Sequence, residues 1–491
     1  MNQPPNFLLL YVDQMRYDAM GCAGHPDVVT PNLDRLASEG TRFARHFVQH
    51  PLCMPSRISM LTGRYPTNLR ITEMGVPVPE DTATLATLLG RAGYRTANVG
   101  KLHFLPHSNR DHREPHPAYD FDHLEISDEP GPYDDAYRAY IRRTRPDQLD
   151  AISRHVLPPA AGVWREAVAF EDTVDHDGVP DPWTTVPFAG DDDATHTAFV
   201  GQRTIDLLNG AGDRPFFTIA GFYSPHSPLF APQRFLDLYD PDRLTLNAMP
   251  DDVRANADEA GFSDATRRQA AHGYYAMISE VDHWVGRILD TLDERGLAEN
   301  TVVAFTSDHG EFLGDFLRWA KGYPGPDCIS RVPLLVRGPG VDKGVCEGLV
   351  EAVDIAPTFL ELAGVPVPPH ADGASLVPAL SGQPFRGKPG VLMESSQFPG
   401  HWRTWRTPTH RYVLHDNGRE HLYDLTAEHG EYHDVVDDPV HRDALYEHRH
   451  GLATKMIDAY HATPRGWPTW ARPSIWSRSH GPGNAASWPT P

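Results

Sequence analysis

The chain predicts an α/β fold: a large, mostly parallel sheet sandwiched by helices, followed by a small antiparallel sheet with a helix. Three observations carry that prediction. Asn6 to Val12 is a continuous apolar run of strand length ending on an acid, Asp13, as expected for a strand buried on both faces. Strand-like runs then alternate with helical patterns, which is how a parallel sheet is built. Beyond about residue 385 the pattern changes to short runs punctuated by Asn417-Gly418, a hairpin turn signal.

The elements follow in order. Thr30-Pro31 opens a helix through Leu33 and Leu36, with Gly40 past its end. Pro55 to Leu61 predicts a helix just after Cys53. Thr84 to Ala92 predicts another, closed by Gly93, and Tyr94 to Val99 a strand. Leu105 to about Gly190 is rich in Pro, Asp, Glu and His with weak periodicity. It is expected to be an irregular insertion, either shaping the mouth of a site or a solvated excursion. Pro215 to Tyr223 reads as a buried strand. Asp264 to Arg295 reads as a long helix, because Ala270, Tyr274, Met277, Val281, Val285, Ile288 and Leu292 follow helical spacing. Thr301 to Ser307 is a strand leading into Asp308-His309, and Val332 to Val336 is one more. Asp372 to Gly382 looks like the close of the main domain, which gives a catalytic domain at 1–385 and a C-terminal subdomain at 386–491. The subdomain should hold strands at Gly390 to Glu394, Arg411 to His415 and His421 to Leu425, then a helix over Val440 to Tyr460. In the Pro-, Gly- and Trp-rich tail, Trp467, Trp470, Trp476 and Trp488 would pack on a neighbouring subunit, making a homo-oligomer, or wrap their own domain.

The 491 residues can bury a large core, and their length suggests two or more domains. A net charge of -22 argues against nucleic acid and repels polyanionic glycans at long range. The acidic insertion, with Asp191-Asp192-Asp193, points the same way. The four cysteines, Cys22, Cys53, Cys328 and Cys346, form no disulfide framework and no close-spaced metal pattern. No stretch reaches the ~18 apolar residues of a membrane span. The N-terminal run lacks a basic region and is too short for a signal peptide. A cytoplasmic protein is expected.

Sites in open α/β sheets gather at the carboxyl ends of strands. Asp13, Asp308 and His309 fall there, and His226 follows the strand ending near Tyr223. Carboxylates with neighbouring amide or imidazole ligands suit one hard divalent cation, which could orient an ester oxygen and acidify a hydroxyl.

Cys53 stands in Cys-Met-Pro-Ser-Arg57, followed by Leu61-Thr-Gly-Arg64. This string resembles the signature of type I sulfatases, in the alkaline phosphatase-like superfamily, where the cysteine is oxidised to the aldehyde formylglycine by a formylglycine-generating enzyme. An aldehyde suits ester hydrolysis for a physical reason. A thiolate would leave an adduct that water must cleave at a crowded anionic sulfur. A hydrated aldehyde attacks with one hydroxyl and expels sulfate by breaking a carbon-oxygen bond with the other. The resemblance runs on through Val12 to Asp18, Thr30 to Ala37, Gly100-Lys-Leu-His103, Ser224-Pro-His226, Thr306 to Glu311, Lys321-Gly322 with Arg331 to Val336, and Leu422 to Leu425 with Glu428 and Glu431.

Carried over by position, the resemblance implies that Asp13, Gln14, Asp308 and His309 hold the metal, with residue 53 joining through a hydroxyl. Ca2+ is the expected ion, with Mn2+ or Mg2+ as alternatives. Arg57 would fix the hydrate, and Lys101 and Lys321 would clamp the ester oxygens. His103 would assist the elimination. His226 or Lys321 would protonate the leaving oxygen. Many sulfatases have Asp at the position of Gln14. The Gln form is similar to a subset that includes bacterial sulfatases and phosphonate monoester hydrolases. The chain also departs at Met74-Gly75, where members of that subset often carry Asn-Gly, and after Lys321 (Tyr323 to Ser330). The implied activity is hydrolysis of a small sulfate ester, such as an aryl sulfate, choline sulfate or a monosulfated sugar. The alternative is a phosphonate monoester or phosphodiester hydrolase using the same nucleophile.

Overall fold

The structure is a computed structural model that describes residues 4–107, 115–154, 156, 181–396 and 400–460. The tail tryptophans and much of the predicted insertion lie outside the described residues. The strands are β1 (Asn6–Val12), β2 (Thr41–Phe47), β3 (Arg95–Gly100), β4 (His123–Ile126), β5 (Val186–Pro187), β6 (Phe216–Gly221), β7 (Phe230–Ala231), β8 (Thr301–Ser307), β9 (Leu334–Arg337), β10 (Gly344–Glu351), β11 (Val391–Ser395), β12 (Trp402–Arg406), β13 (His410–His415) and β14 (Glu420–Asp424). The principal helices are α1 (Pro31–Glu39), α2 (Cys53–Thr62), α3 (Leu85–Arg91), α4 (Ala136–Thr144), α5 (His196–Asn209), α6 (Asp264–Glu294), α7 (Ile355–Leu362) and α8 (Arg442–Ala459).

The main sheet has the order β10-β2-β9-β8-β1-β6-β3-β4. Its strands share one direction except β9, which runs antiparallel to both β2 and β8. β1 is central and parallel to β6 and β8, with Leu8 opposite both Thr218 and Val303. All seven of its residues are buried. Successive side chains serve opposite faces. Leu8, Leu10 and Val12 join the core built with α5 and α6, including Phe199, Tyr274, Ile278 and Val281. Phe7, Leu9 and Tyr11 join the other core, with Ile58 of α2, Leu89 of α3 and Phe359 of α7. The sheet is therefore sandwiched by helices, as predicted.

The predicted insertion is not wholly irregular. Its described part carries β4, which extends the main sheet beside β3 through Ala97 opposite His123 to Gly100 opposite Ile126. It also carries α4, opened by the Asp135 side chain accepting from Arg138 N. The second sheet is antiparallel in the order β11-β12-β13-β14. It packs on α8, where Leu445 and Leu452 meet Trp405, Tyr412 and Leu422. β12 was not foreseen from the sequence.

Candidate active site

Apart from Lys321, the candidate side chains follow the carboxyl ends of strands or lie in the first turns of a helix. β1 ends at Val12, which puts Asp13 and Gln14 just beyond the sheet. Gln14 turns into the left-handed region, φ 69°, and its carbonyl accepts from Tyr274 Oη at 2.7 Å. β8 ends at Ser307, placing Asp308 and His309 alongside. Asp308 Oδ1 accepts from Gln14 N at 3.1 Å, so the two strand ends are tied together.

Cys53 is the first residue of α2, and Arg57 lies one turn further on the same face. Arg57 Nε donates to Asp308 Oδ2 at 2.7 Å and Nη1 to Lys101 O at 3.1 Å. Its guanidinium sits 4.4 Å over the Tyr11 ring. Ser56 Oγ donates to Asp308 O at 2.5 Å. Met54 Sδ lies 3.5 Å from Gly75 N, so the Met74-Gly75 segment lies beside α2.

Lys101 follows β3 directly. The ends of β3 and β6 approach closely enough that a Cβ on Gly221 would meet Lys101 O at 2.2 Å. Lys101 Nζ reaches Asp13 Oδ2 at 2.6 Å. Asp128 Oδ1, just past β4, accepts from Leu102 N at 2.9 Å and His103 N at 2.7 Å. Both ring nitrogens of His103 are buried without a hydrogen bond among the described residues. His226, past β6, commits Nδ1 to Ser227 O at 2.6 Å, leaving Nε2 for the site. Lys321 arrives on the loop after β8. Its Nζ donates to Gln14 Oε1 at 2.5 Å and Cys53 Sγ at 3.3 Å.

Residue 53 is the centre of this group. Its Sγ is 3.1 Å from His309 Nε2 and 3.8 Å from Asp13 Oδ1. Donor atoms of Asp13, Cys53, Asp308 and His309 all lie within 4.8 Å of one another, and all four residues are buried. His309 points Nδ1 at Gly310 O, 2.9 Å away, which leaves the Nε2 lone pair facing the cluster. Two carboxylates, an amide oxygen and an imidazole nitrogen make a donor set that fits one divalent cation.

The electrostatics keep these donors in ligand form. Burial opposes ionisation of Asp13, but Lys101, His226, Lys321 and His309 hold it well below the usual carboxylate range. Burial, with Asp308 opposing, lowers His309 to about 4, so it is neutral. Burial also pushes His103 and His226 well below their ordinary value. Burial raises the Cys53 thiol to about 11, with Asp13 adding to it. An unmodified Cys53 is therefore a thiol at neutral pH and a poor nucleophile.

The cluster thus holds Asp13, Gln14, Cys53, Arg57, Lys101, Asp308, His309 and Lys321 in direct contact. His103 and His226 stand close enough that Lys101 and Asp13 act on both electrostatically. Sequence reasoning missed two supporting acids. Glu311 is fully buried, accepts from Gln14 Nε2, and also accepts from Leu313 N at 2.9 Å and Ala320 N at 2.7 Å. It lies in the same string as Asp308-His309, which was the available signal. Asp128 carried no signal without β4.

The sulfatase family profile matches residues 5–365, and the profile for the N-sulphoglucosamine sulphohydrolase C-terminal region matches residues 327–457. The chain is 31% identical over 392 residues to an arylsulfatase of Clostridium perfringens, covering 76% of this chain and 77% of the relative. It is 29% identical over 467 residues to a choline-sulfatase of Rhizobium meliloti, covering 89% and 83%. The structure of a phosphonate monoester hydrolase of Agrobacterium radiobacter superposes with a TM-score of 0.77 at 25% identity, covering 93% of this chain and 96% of that one.

Proposed function

This chain belongs to the sulfatase family and is a sulfuric ester hydrolase, and from that premise we propose that its nucleophile is a formylglycine made from Cys53. The observation that carries the reading is the position of residue 53 at the start of α2, within contact of His309, Asp13 and Lys321. Once formed and hydrated, the aldehyde supplies one hydroxyl to attack sulfur and another to expel sulfate. Asp13, Gln14, Asp308 and His309 would hold a divalent cation, Ca2+ in this proposal, which would supply charge to orient an ester oxygen and acidify a hydroxyl.

The remaining roles belong to the chain itself. Arg57, locked by Asp308 and the Lys101 carbonyl, presents fixed positive charge beneath residue 53. Lys101 and Lys321 stand on either side of Asp13 and offset charge that builds on the ester oxygens. His103, neutral and without a hydrogen-bond partner, is free to take a proton from residue 53 as sulfate leaves. His226 is held neutral with Nδ1 committed, so Lys321 Nζ is the proton donor to the leaving oxygen. The substrate is a small monosulfate ester, and an aryl or small alkyl leaving group meets no polyanion repulsion from the acidic chain.

The phosphonate alternative rests on the likeness to a phosphonate monoester hydrolase. Matched turnover of an aryl sulfate and an aryl phosphonate monoester tests the choice. Faster sulfate hydrolysis is expected. A phosphonate preference would overturn the assignment while leaving the nucleophile in place.

A further inference from the structure

A second group of metal-ligating side chains lies in the C-terminal sheet and shares no residue with the active site. One donor atom each from His410, Asp424 and His441 lie within 4.8 Å of one another, all partly buried. Backbone elements bring them together. His410 opens β13 and pairs directly with Asp424, the last residue of β14. His441 caps the start of α8.

The hydrogen bonds sort the donors. His410 Nδ1 lies 3.1 Å from Thr409 Oγ1. With that nitrogen protonated, Nε2 keeps its lone pair, and Nε2 is buried with no hydrogen-bond partner among the described residues. Burying such a nitrogen unpaired costs free energy, so the geometry asks for a partner. Asp424 uses Oδ1 for Thr426 N at 2.9 Å and Thr426 Oγ1 at 2.6 Å, and its other oxygen is less engaged. His448 is excluded as a ligand. Its Nδ1 donates to Ala444 O at 2.7 Å, and its Nε2 faces Thr407 Oγ1 at 2.8 Å. It packs against the His410 ring, centroids 5.2 Å apart, and so fixes that ring.

We propose that His410, Asp424 and His441 form an open, three-ligand site for a divalent transition metal of the Zn2+ class, tying the β13–β14 hairpin to the start of α8. Two imidazoles and one carboxylate are the donor chemistry such an ion selects, unlike the oxygen-rich cluster at residue 53. Closure needs the donors, now within 4.8 Å of one another, to draw in to bonds of about 2.0–2.2 Å. A water completes the shell.

The test is a count of bound metal on the full chain, kept in excess Ca2+ and dialysed against micromolar Zn2+. The wild-type chain should hold one Zn2+ more than His441→Ala, and the variant's affinity should fall at least ~10-fold. Zn2+ should raise the melting temperature of the wild type and not that of the variant, with sulfatase turnover retained in both. His441→Gln serves if the alanine variant folds poorly. Wild-type Co2+ absorption gives a readout that needs no variant: an intense four-coordinate visible band is expected. Equal Zn2+ counts in both chains, binding only at millimolar Zn2+, or a weak six-coordinate Co2+ spectrum would each overturn the proposal.

Discussion

Glu311→Gln isolates what a single buried carboxylate does for the metal cluster. Glu311 Oε2 accepts from Gln14 Nε2, which turns Gln14 Oε1 toward Lys321 Nζ. Its Oε1 is held by Leu313 N and Ala320 N. A glutamine would keep its oxygen on those two backbone donors and so aim its own NH2 at the NH2 of Gln14. Two donors cannot pair, so Gln14 must flip and present its amide hydrogens to Lys321 and the cation. Burial raises Glu311 to about 7, so from about pH 8 upward, where it is ionised, the loss is one hydrogen bond to a charged acceptor, about 1.5–3 kcal/mol, or roughly 10–150-fold in an equilibrium constant. Outer-shell partners of metal ligands typically cost 10–100-fold, in the same range. Calorimetric titration of the metal-depleted protein with Ca2+ reads this directly, and activity against free Ca2+ reads it independently. Gln14→Glu combined with Glu311→Gln restores a donor-to-acceptor pair and should recover much of the affinity. A Glu311→Gln affinity within twofold of wild type would refute the orienting role.

Three further outcomes follow from the same geometry. Cys53→Ala and Cys53→Ser should lower sulfatase turnover by at least ~10^3-fold while leaving the melting temperature near wild type, if residue 53 is the reacting group as proposed. Gly221→Ala would put a methyl 2.2 Å from Lys101 O; it should destabilise by about 3 kcal/mol or more and raise KM as Lys101 shifts, read by denaturant unfolding and steady-state kinetics. Burial raises Glu280 from 4.5 to about 8. A raised carboxylate binds its proton more tightly folded than unfolded, so stability is greatest below the unfolded value and falls as pH rises from 4.5 to about 8. The cost at pH 7 is about 3 kcal/mol on the order of magnitude. Glu280→Gln, which still accepts from Thr195 Oγ1, should melt higher than wild type at pH 7 and flatten the pH dependence of the melting temperature; a profile parallel to wild type would refute this.

What could be read from the sequence depended on burial. β1 and β8 are buried on both faces, so each is an unbroken apolar run. β2, with Arg42, Arg45 and His46, and β10, with Gly344, Glu347 and Gly348, lack that pattern because β2 leaves Arg42 and Arg45 half-buried and β10 is an edge. β4 is a four-residue edge strand inside a Pro- and Asp-rich stretch, below the length at which alternation is visible. Missing it meant missing Asp128, whose grip on Leu102 N and His103 N depends on where β4 ends. The proposed metal ligands Asp13, Asp308 and His309 stood out because they follow strands, and Cys53 because of the string in which it stands. Glu311 shares the string of Asp308-His309, but orienting an amide leaves no periodicity or spacing that would assign it that task.

The most direct test of the central claim is the mass of the peptide carrying residue 53. The protein should be made aerobically in a host with a formylglycine-generating enzyme. The expected mass is that of the aldehyde or its hydrate, trapped as a hydrazone with a carbonyl reagent, with an aldehyde fraction that tracks sulfatase activity across preparations. A fully active protein whose peptide carries only the unmodified thiol would contradict it.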